Sequence, residues 1–365
     1  MKSLYYFNPM TVTNSLFRKD AIAWGKVYNL IGRAVGMNDR SGTLSQPISL
    51  ATYDRCKLPV LSSNYVSYDE AADQRVKEIY ESSVRLGKPI GIMWSGGIDS
   101  TTIVVAFLRN YSVAELKQRV KIILSTEATL ENPTFYLNHI LPNFEFVNSE
   151  YTPWLFDGSM LIVTGEFNDQ LFGSDLIKFY LTTCGAETVN AKFSRDDIFS
   201  YINSKIKDSK ISNILIDAVI ESSTKYGVSL EKNSDFFWWY NFCFKWQCVH
   251  FRFYALTFPR LIPTINEEWD RTYMIHFFQT DAFQLWSINS PQVRYIDDWK
   301  NYKFKAKESI YRFDKNYEYF RNKIKRPSLQ TVFYQRILSE AVTSDFQILP
   351  TFDPHEYYNS ENSFK

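Results

Sequence analysis

The sequence predicts an α/β fold, a parallel sheet flanked by helices, followed by a mostly helical C-terminal portion. Three observations predict it. Short apolar, β-branched runs recur at 90–94, 120–125, 145–147 and 159–164. Helical patterns open between them, at Ile98 and at Asn132. From Ser194 onward helical patterns dominate. Strands that alternate with helices favour parallel pairing. In such sheets ligands bind outside the carboxyl ends of the strands.

Taken in order, residues 14–24 predict a helix capped by Asn14 or Ser15, and 36–49 a loop. Ser67-Tyr68-Asp69-Glu70 pairs a hydroxyl cap with a glutamate three residues on, so a helix is expected to about Leu86, ended by Gly87-Lys88-Pro89. Residues 1–86 read as a mixed, partly helical extension, 87–352 as the main domain and 353–365 as a polar tail. Residues 90–94 are the first core strand, and Ile103, Ala106 and Phe107 share one face of the helix that follows. Residues 120–125 are the next strand. Asn132-Pro133 caps a helix through about Ile140. Residues 145–147 and 159–164 are the third and fourth strands. Ser194 opens another helix. Residues 235–256 predict one long helix, apolar nearly all round and therefore buried. Lys245 and Arg252 interrupt it, and Arg252 is a candidate to reach the site.

Composition bounds the function. The chain has 365 residues, enough for one large domain with additions or for two domains. Its 41 basic and 40 acidic residues leave a charge of +1, which argues against bulk nucleic acid or an anionic membrane as partner. Cys56, Cys184, Cys243 and Cys248 lack zinc spacing and a disulfide framework, so reduced thiols are expected. His139, His250, His276 and His355 are scattered and read as surface or satisfied core residues. Met1-Lys2-Ser3 leads into no signal-like apolar stretch, and no run reaches membrane-spanning length. A cytoplasmic protein is expected. The 29 Phe, 24 Tyr and 9 Trp are dispersed, which favours a compositional origin over a base-stacking array.

The chemistry concentrates at Ser95-Gly96-Gly97-Ile98-Asp99-Ser100-Thr101, between a strand and a helix. Small residues there let backbone N–H groups approach an anion, and the helix dipole favours negative charge. Ser95, Ser100 and Thr101 add hydroxyls. Asp99 would repel a phosphate unless a cation sits between them, so the string reads as a magnesium-linked phosphate site. No lysine follows the glycines, unlike the phosphate loop of nucleoside triphosphatases, and no third glycine completes a dinucleotide fingerprint.

Ser95-Gly96-Gly97-Ile98-Asp99-Ser100 resembles the Ser-Gly-Gly-x-Asp-Ser signature of the ATP pyrophosphatases, the PP-loop family. Leu161-Ile-Val-Thr-Gly-Glu-Phe-Asn-Asp-Gln-Leu-Phe-Gly173 is similar to the Gly-Glu-Gly-x-Asp-Glu-x-Phe-Gly-Gly segment of asparagine synthetase and β-lactam synthetase. The likeness extends more weakly from about Gly91 to Leu329 and implies an asparagine synthetase-like synthetase domain, with an adenine nucleotide alpha hydrolase-like fold. It implies ATP and Mg2+ as cofactors. AMP is passed to a carboxylate, pyrophosphate leaves, and an amine captures the adenylate to form an amide. Carried over residue by residue, Ser95, Gly96, Gly97, Ser100 and Thr101 would bind pyrophosphate, with Gly165 beside the nucleotide. Asp99 and Asp169 would hold magnesium, and Glu166 would support the adenylate or the amine. Backbone at Leu124 and Ser125 would meet adenine. Residues 277–287 resemble the family region with a Phe-Leu-Asp-like turn near the substrate. Residues 319–329 resemble the Arg-Lys-Lys-x-Gly-Phe region, where Lys325, or Lys323 as alternative, would stabilise the transition states.

Three departures stand out. Phe167 replaces a glycine, Gln170 replaces the second acidic residue, and Ser174 replaces the final glycine. The first and third are expected to reshape the substrate pocket, and the second to remove a negative charge near the metal. Glutamine-dependent relatives carry a nucleophilic Cys directly after the initiator Met. Here Lys2 follows Met1 and the first Cys is Cys56, so this chain is expected not to hydrolyse glutamine. Ammonia or another amine would come from elsewhere, a separate glutaminase or a modification-pathway enzyme being the partner implied. The expected function is thus an AMP-forming amide ligase. The alternatives are adenylation of a nucleobase in nucleic-acid modification, or non-catalytic adenine nucleotide binding, which Phe167 and Gln170 motivate.

Overall fold

The computed structural model describes residues 2–8, 25–27, 30, 37–43, 50–149, 155–255, 265–325, 340–357 and 359. The helix expected at 14–24, half of the loop at 36–49 and the end of the 319–329 segment lie outside them, as does the side chain of Arg252.

Two sheets form. A small antiparallel one joins β1 (Leu4–Phe7), β7 (Ala341–Thr343) and β8 (Ile348–Leu349). The main one has five parallel strands in the order β4 (Glu145–Asn148), β3 (Val120–Leu124), β2 (Ile90–Met93), β5 (Leu161–Thr164), β6 (Met274–His276). The molecule is therefore α/β, with a parallel sheet flanked by helices, as the alternating pattern predicts. From β2 the chain crosses outward through β3 to β4, then returns to the other side of β2 as β5. The direction of winding reverses between β2 and β5, and such a reversal opens a crevice at the strand ends.

Helix α1 (Tyr68–Leu86) begins at the expected capping box: Ser67 accepts from the Glu70 amide, and Glu70 accepts from the Ser67 amide. Gly87, at φ 63°, ends it. Tyr68, Ala71, Ala72, Val76 and Ile79 form its buried stripe. Helix α2 (Ile98–Asn110) leaves β2 and is held between α1 and the later helix Phe304–Asp314. Helices α3 (Asn168–Phe172) and α4 (Ser174–Asn190) follow β5. The long aromatic helix read at 235–256 is in fact two, α5 (Asn233–Phe244) and α6 (Trp246–Ala255). The break falls at Lys245, with neither proline nor glycine to mark it in sequence. Every residue of α5 is buried, in keeping with its lack of a polar face. Helices α7 (Phe304–Asp314) and α8 (Tyr317–Asn322) close the C-terminal half.

The helix read at 132–140 is a short turn, Pro133–Phe135, running into a π-helical Tyr136–Ile140. Strand β6 and the small sheet are absent from the sequence reading. The start of the polar tail is docked: Pro354 and Tyr357 are buried, and the Tyr357 carbonyl accepts from the Ala51 amide at 2.8 Å. Among the described residues no helix is long and apolar enough to cross a membrane.

Candidate functional site

The crevice is built by the turns that leave β2 and β5. Gly96 has φ +73°, and a Cβ there would come within 2.3 Å of the Ala128 carbonyl oxygen and 2.7 Å of Glu131 Cβ. Only glycine fits both the backbone angle and the space. Gly97 is the N-cap of α2 and supplies no capping side chain, so the first-turn amides are not closed off by one. The Ser95 amide donates to Ser100 Oγ at 3.1 Å, and the two hydroxyls lie 3.2 Å apart. Ser95 is exposed and Ser100 buried. Thr101 points into the core, where its hydroxyl accepts from Trp94 Nε1 at 3.1 Å.

The second turn packs directly on the first. A Cβ on Gly165 would meet Asp99 Cβ at 3.1 Å and the Ser100 amide at 3.2 Å. Glu166 follows, half-buried, its amide directed at Thr164 Oγ1 at 3.4 Å. The crevice thus brings Ser95, Gly96, Gly97, Asp99, Ser100, Gly165, Glu166 and Asp169 together. Leu124 and Ser125 lie at the end of the neighbouring strand β3, and Ser125 caps the short helix Thr126–Glu131.

Asp99 and Asp169 are joined by a lysine that the sequence alone does not single out. Lys303 Nζ lies 2.5 Å from Asp99 Oδ1 and 2.7 Å from Asp169 Oδ1. Lys325 Nζ reaches Asp169 Oδ2 at 2.8 Å and Asp175 Oδ1 at 3.2 Å. Asn168 Nδ2 donates to Asp99 Oδ1 at 2.7 Å, and the Tyr68 hydroxyl donates to Asn168 Oδ1 at 3.0 Å. The Tyr302 hydroxyl donates to Asp169 Oδ1 at 3.1 Å and accepts from the Ser174 amide at 3.0 Å. Lys303 is fully buried, whereas the two carboxylates keep 26% and 25% of their side-chain surface. Lys323 pairs with Glu131, whose side chain lies beside Gly96, and not with the aspartates. Of the two candidate lysines, the geometry brings Lys325 to the aspartates.

Burial raises the Asp99 carboxyl above its ordinary range; Lys303 opposes this and Asp169 reinforces it. Burial would also raise Asp169, but Lys303 and Lys325 together hold it far below. Lys325 is held above the ordinary lysine range because Asp169 and Asp175 outweigh its desolvation. The proton thus stays on Lys325, and Asp169 stays ionised.

The magnesium expected between Asp99 and Asp169 meets this arrangement poorly. The position between the carboxylates is filled by an ammonium, and Asp169's second oxygen is taken by Lys325. Among the described residues no group of three or more His, Cys, Asp or Glu can hold a metal ion. The lysine is hidden in sequence because 299–307 carries four lysines at unremarkable spacing. Lys303 differs from the others in being the N-cap of α7 with φ 57°, a left-handed conformation uncommon for a side chain-bearing residue.

The three departures are local and intelligible. Phe167 (φ 77°) and Ser174 (φ 59°) both occupy the left-handed region, where the resembled segment has glycine. The backbone path suited to glycine is kept and a side chain is added. The Phe167 ring fills a buried space against Trp246, at 4.7 Å between centroids, and His276, at 5.1 Å. Gln170 is buried, where a second carboxylate would carry a desolvation cost.

Behind Phe167 lies a buried polar cluster. His250 Nε2 is 3.0 Å from Asp270 Oδ1, and Arg55 Nη2 is 2.7 Å from Asp270 Oδ2. Burial would lower the His250 pKa, but Asp270 and Cys56 push it up to about 10, from 6.5. The folded state binds this proton more tightly than the unfolded chain does. Its contribution to stability is therefore full below about pH 6.5 and is lost as pH rises through about 10. Urea unfolding across that interval is expected to show this decline in the wild type. Replacing Asp270 with Asn should lower stability and flatten the decline; an unchanged slope would refute the pairing.

No family model matches the chain, and no curated protein matches it significantly.

Proposed function

We propose that the chain is an ATP-dependent, AMP-forming ligase with a PP-loop fold, joining a carboxylate to ammonia or another amine. The observation that carries this reading is the meeting of the two motif turns at the reversal between β2 and β5, with Lys303 and Lys325 beside them. In this reading the open amides of α2 and the Ser95 and Ser100 hydroxyls receive the β- and γ-phosphates. Lys303 and Lys325 exchange part of their contact with the aspartates for the polyphosphate. Lys325 offers a fixed positive charge where negative charge develops during adenylation and amide formation, the kind of preorganised interaction that contributes most to rate. Glu166, on the rim of the same crevice, supports the adenylate or the incoming amine. The carboxylate pair does not by itself make a magnesium site, and no step is routed through one.

Incubation with ATP labelled at the α-phosphate, across pools of carboxylates and amines, tests this. Labelled AMP and free pyrophosphate are expected from the wild type, and neither from Asp99→Ala or Glu166→Gln. Labelled ADP, or no turnover with any pool, would overturn it.

A second reading, nucleotide binding without turnover, draws on Lys303 filling the place between the aspartates and on Gln170 lacking a charge. Tight ATP binding with no AMP formed from any pool would favour it over the first.

A further inference from the structure

We propose, building on the polyphosphate reading of the site, that Lys307 is the positioning residue of the lysine pair, joining the turn that presents Lys303 to the segment that presents Lys325. Lys307 lies one helical turn into α7 and is 1% exposed. Its backbone amide donates to the Lys303 carbonyl at 3.0 Å. Its ammonium donates to two further backbone carbonyls, those of Lys300 and Lys323, the second at 3.4 Å. Lys300 sits in the 3-10 turn Trp299–Asn301 that leads into Lys303. Lys323 is the C-cap of α8, two residues before Lys325. One side chain thus touches the backbone just before each of the two crevice lysines.

A buried ammonium without a carboxylate is costly unless other acceptors satisfy it. Both of these carbonyl acceptors are uncharged. Burial pushes the Lys307 pKa down to about 8, Arg321 acts in the same direction, and Asp298 opposes them. A methionine would fill the same path through the core more cheaply, so the charge is retained at a cost. What the ammonium supplies, and a thioether lacks, is the two-sided link. Trp299 gives a parallel tie, with Nε1 directed at the Lys325 carbonyl at 3.4 Å and its ring stacked on Tyr302 at 4.0 Å. Lys307 and Trp299 together fix the spacing between Lys303 and Lys325, the spacing a polyphosphate must match.

The test compares the full-length wild type with Lys307→Met and Lys307→Arg, by calorimetric titration with inorganic pyrophosphate and by amide hydrogen exchange. Lys307→Met is expected to bind pyrophosphate at least about tenfold more weakly, about 1.4 kcal/mol. It should lose exchange protection in 299–307 and 319–325 while the sheet strands keep theirs. Lys307→Arg, which restores charge and donors, is expected to recover both. Lys307→Gln, which keeps a donor, replaces the methionine variant if that one does not fold. Wild-type affinity and protection in Lys307→Met, or no recovery in Lys307→Arg, would overturn the proposal. If the wild type binds no pyrophosphate, the polyphosphate reading fails, and the exchange pattern alone decides whether Lys307 holds the two segments.

Discussion

Replacing Lys303 with methionine is expected to lower the free energy of unfolding by about 2–4 kcal/mol at neutral pH. Removing one member of a buried ion pair leaves the other charge uncompensated, which costs more than the pair itself contributes. Here two carboxylates are stranded, since Asp99 Oδ1 and Asp169 Oδ1 both face the same ammonium. Each keeps about a quarter of its side-chain surface, so water screens part of the repulsion and the lower part of the range applies. Asp169 retains the cation Lys325, whereas the donor left to Asp99 Oδ1 is the neutral Asn168 amide. The loss should therefore be recovered largely by Asp99→Asn in the same chain, and less by Asp169→Asn. Urea unfolding of the wild type, both single variants and the Lys303→Met, Asp99→Asn pair gives the coupling energy. A coupling above about 1 kcal/mol is expected; additivity within about 0.5 kcal/mol would show that the contact does not contribute.

Gly96→Ala is expected to have the second large effect, and on a different quantity. A left-handed φ of +73° costs an L-residue roughly 1–2 kcal/mol. The new methyl would also lie 2.3 Å from a backbone carbonyl oxygen, which has no rotamer to escape into. Either the turn or the helix Thr126–Glu131 must move. Stability should fall by about 2 kcal/mol or more. Movement of the turn re-aims the amides at the start of α2, so pyrophosphate affinity should fall about 100-fold, or about 2.7 kcal/mol. Gly42, also left-handed at φ +68° but with nothing among the described residues within 4 Å of an added methyl, is the control: Gly42→Ala should cost the backbone term alone. Equal losses in the two variants would remove the steric contribution.

Sequence reached the strands and turns that carry local signals. Four runs of branched apolar residues became β2 to β5, and Ser67 to Glu70 became the capping box of α1. The two motif turns were legible because glycine and small hydroxyl residues are needed there for close approach. Their meeting was not legible from periodicity, because it depends on β5 returning beside β2 and not beyond β4. Strand order is set by which faces bury best after the crossovers form, and no window of local sequence contains it. Lys303 stayed hidden for a similar reason. Its importance comes from a left-handed backbone at the start of α7 and from the packing of α7 on α2, both tertiary. Lys245 shows a smaller limit: an apolar pattern continues through it, but the helix stops and restarts.

Phe167 and Ser174 break the glycine pattern of the resembled segment, yet both keep the backbone angle that glycine adopts without strain. The substitutions alter what fills the buried space beside the turn more than the course of the chain. Phe167 brings the buried His250 and His276 rings against the second motif.

The turn from β2 into α2, with Lys303 and Lys325, is proposed to be a polyphosphate site. Calorimetric titration of the full chain with ATP, and then with ATP in the presence of excess pyrophosphate, tests it most directly because no second substrate is needed. One ATP site per chain is predicted, blocked by pyrophosphate, and weakened at least about tenfold by Lys325→Met. Absence of binding, or binding that pyrophosphate and Lys325→Met leave unchanged, would contradict it.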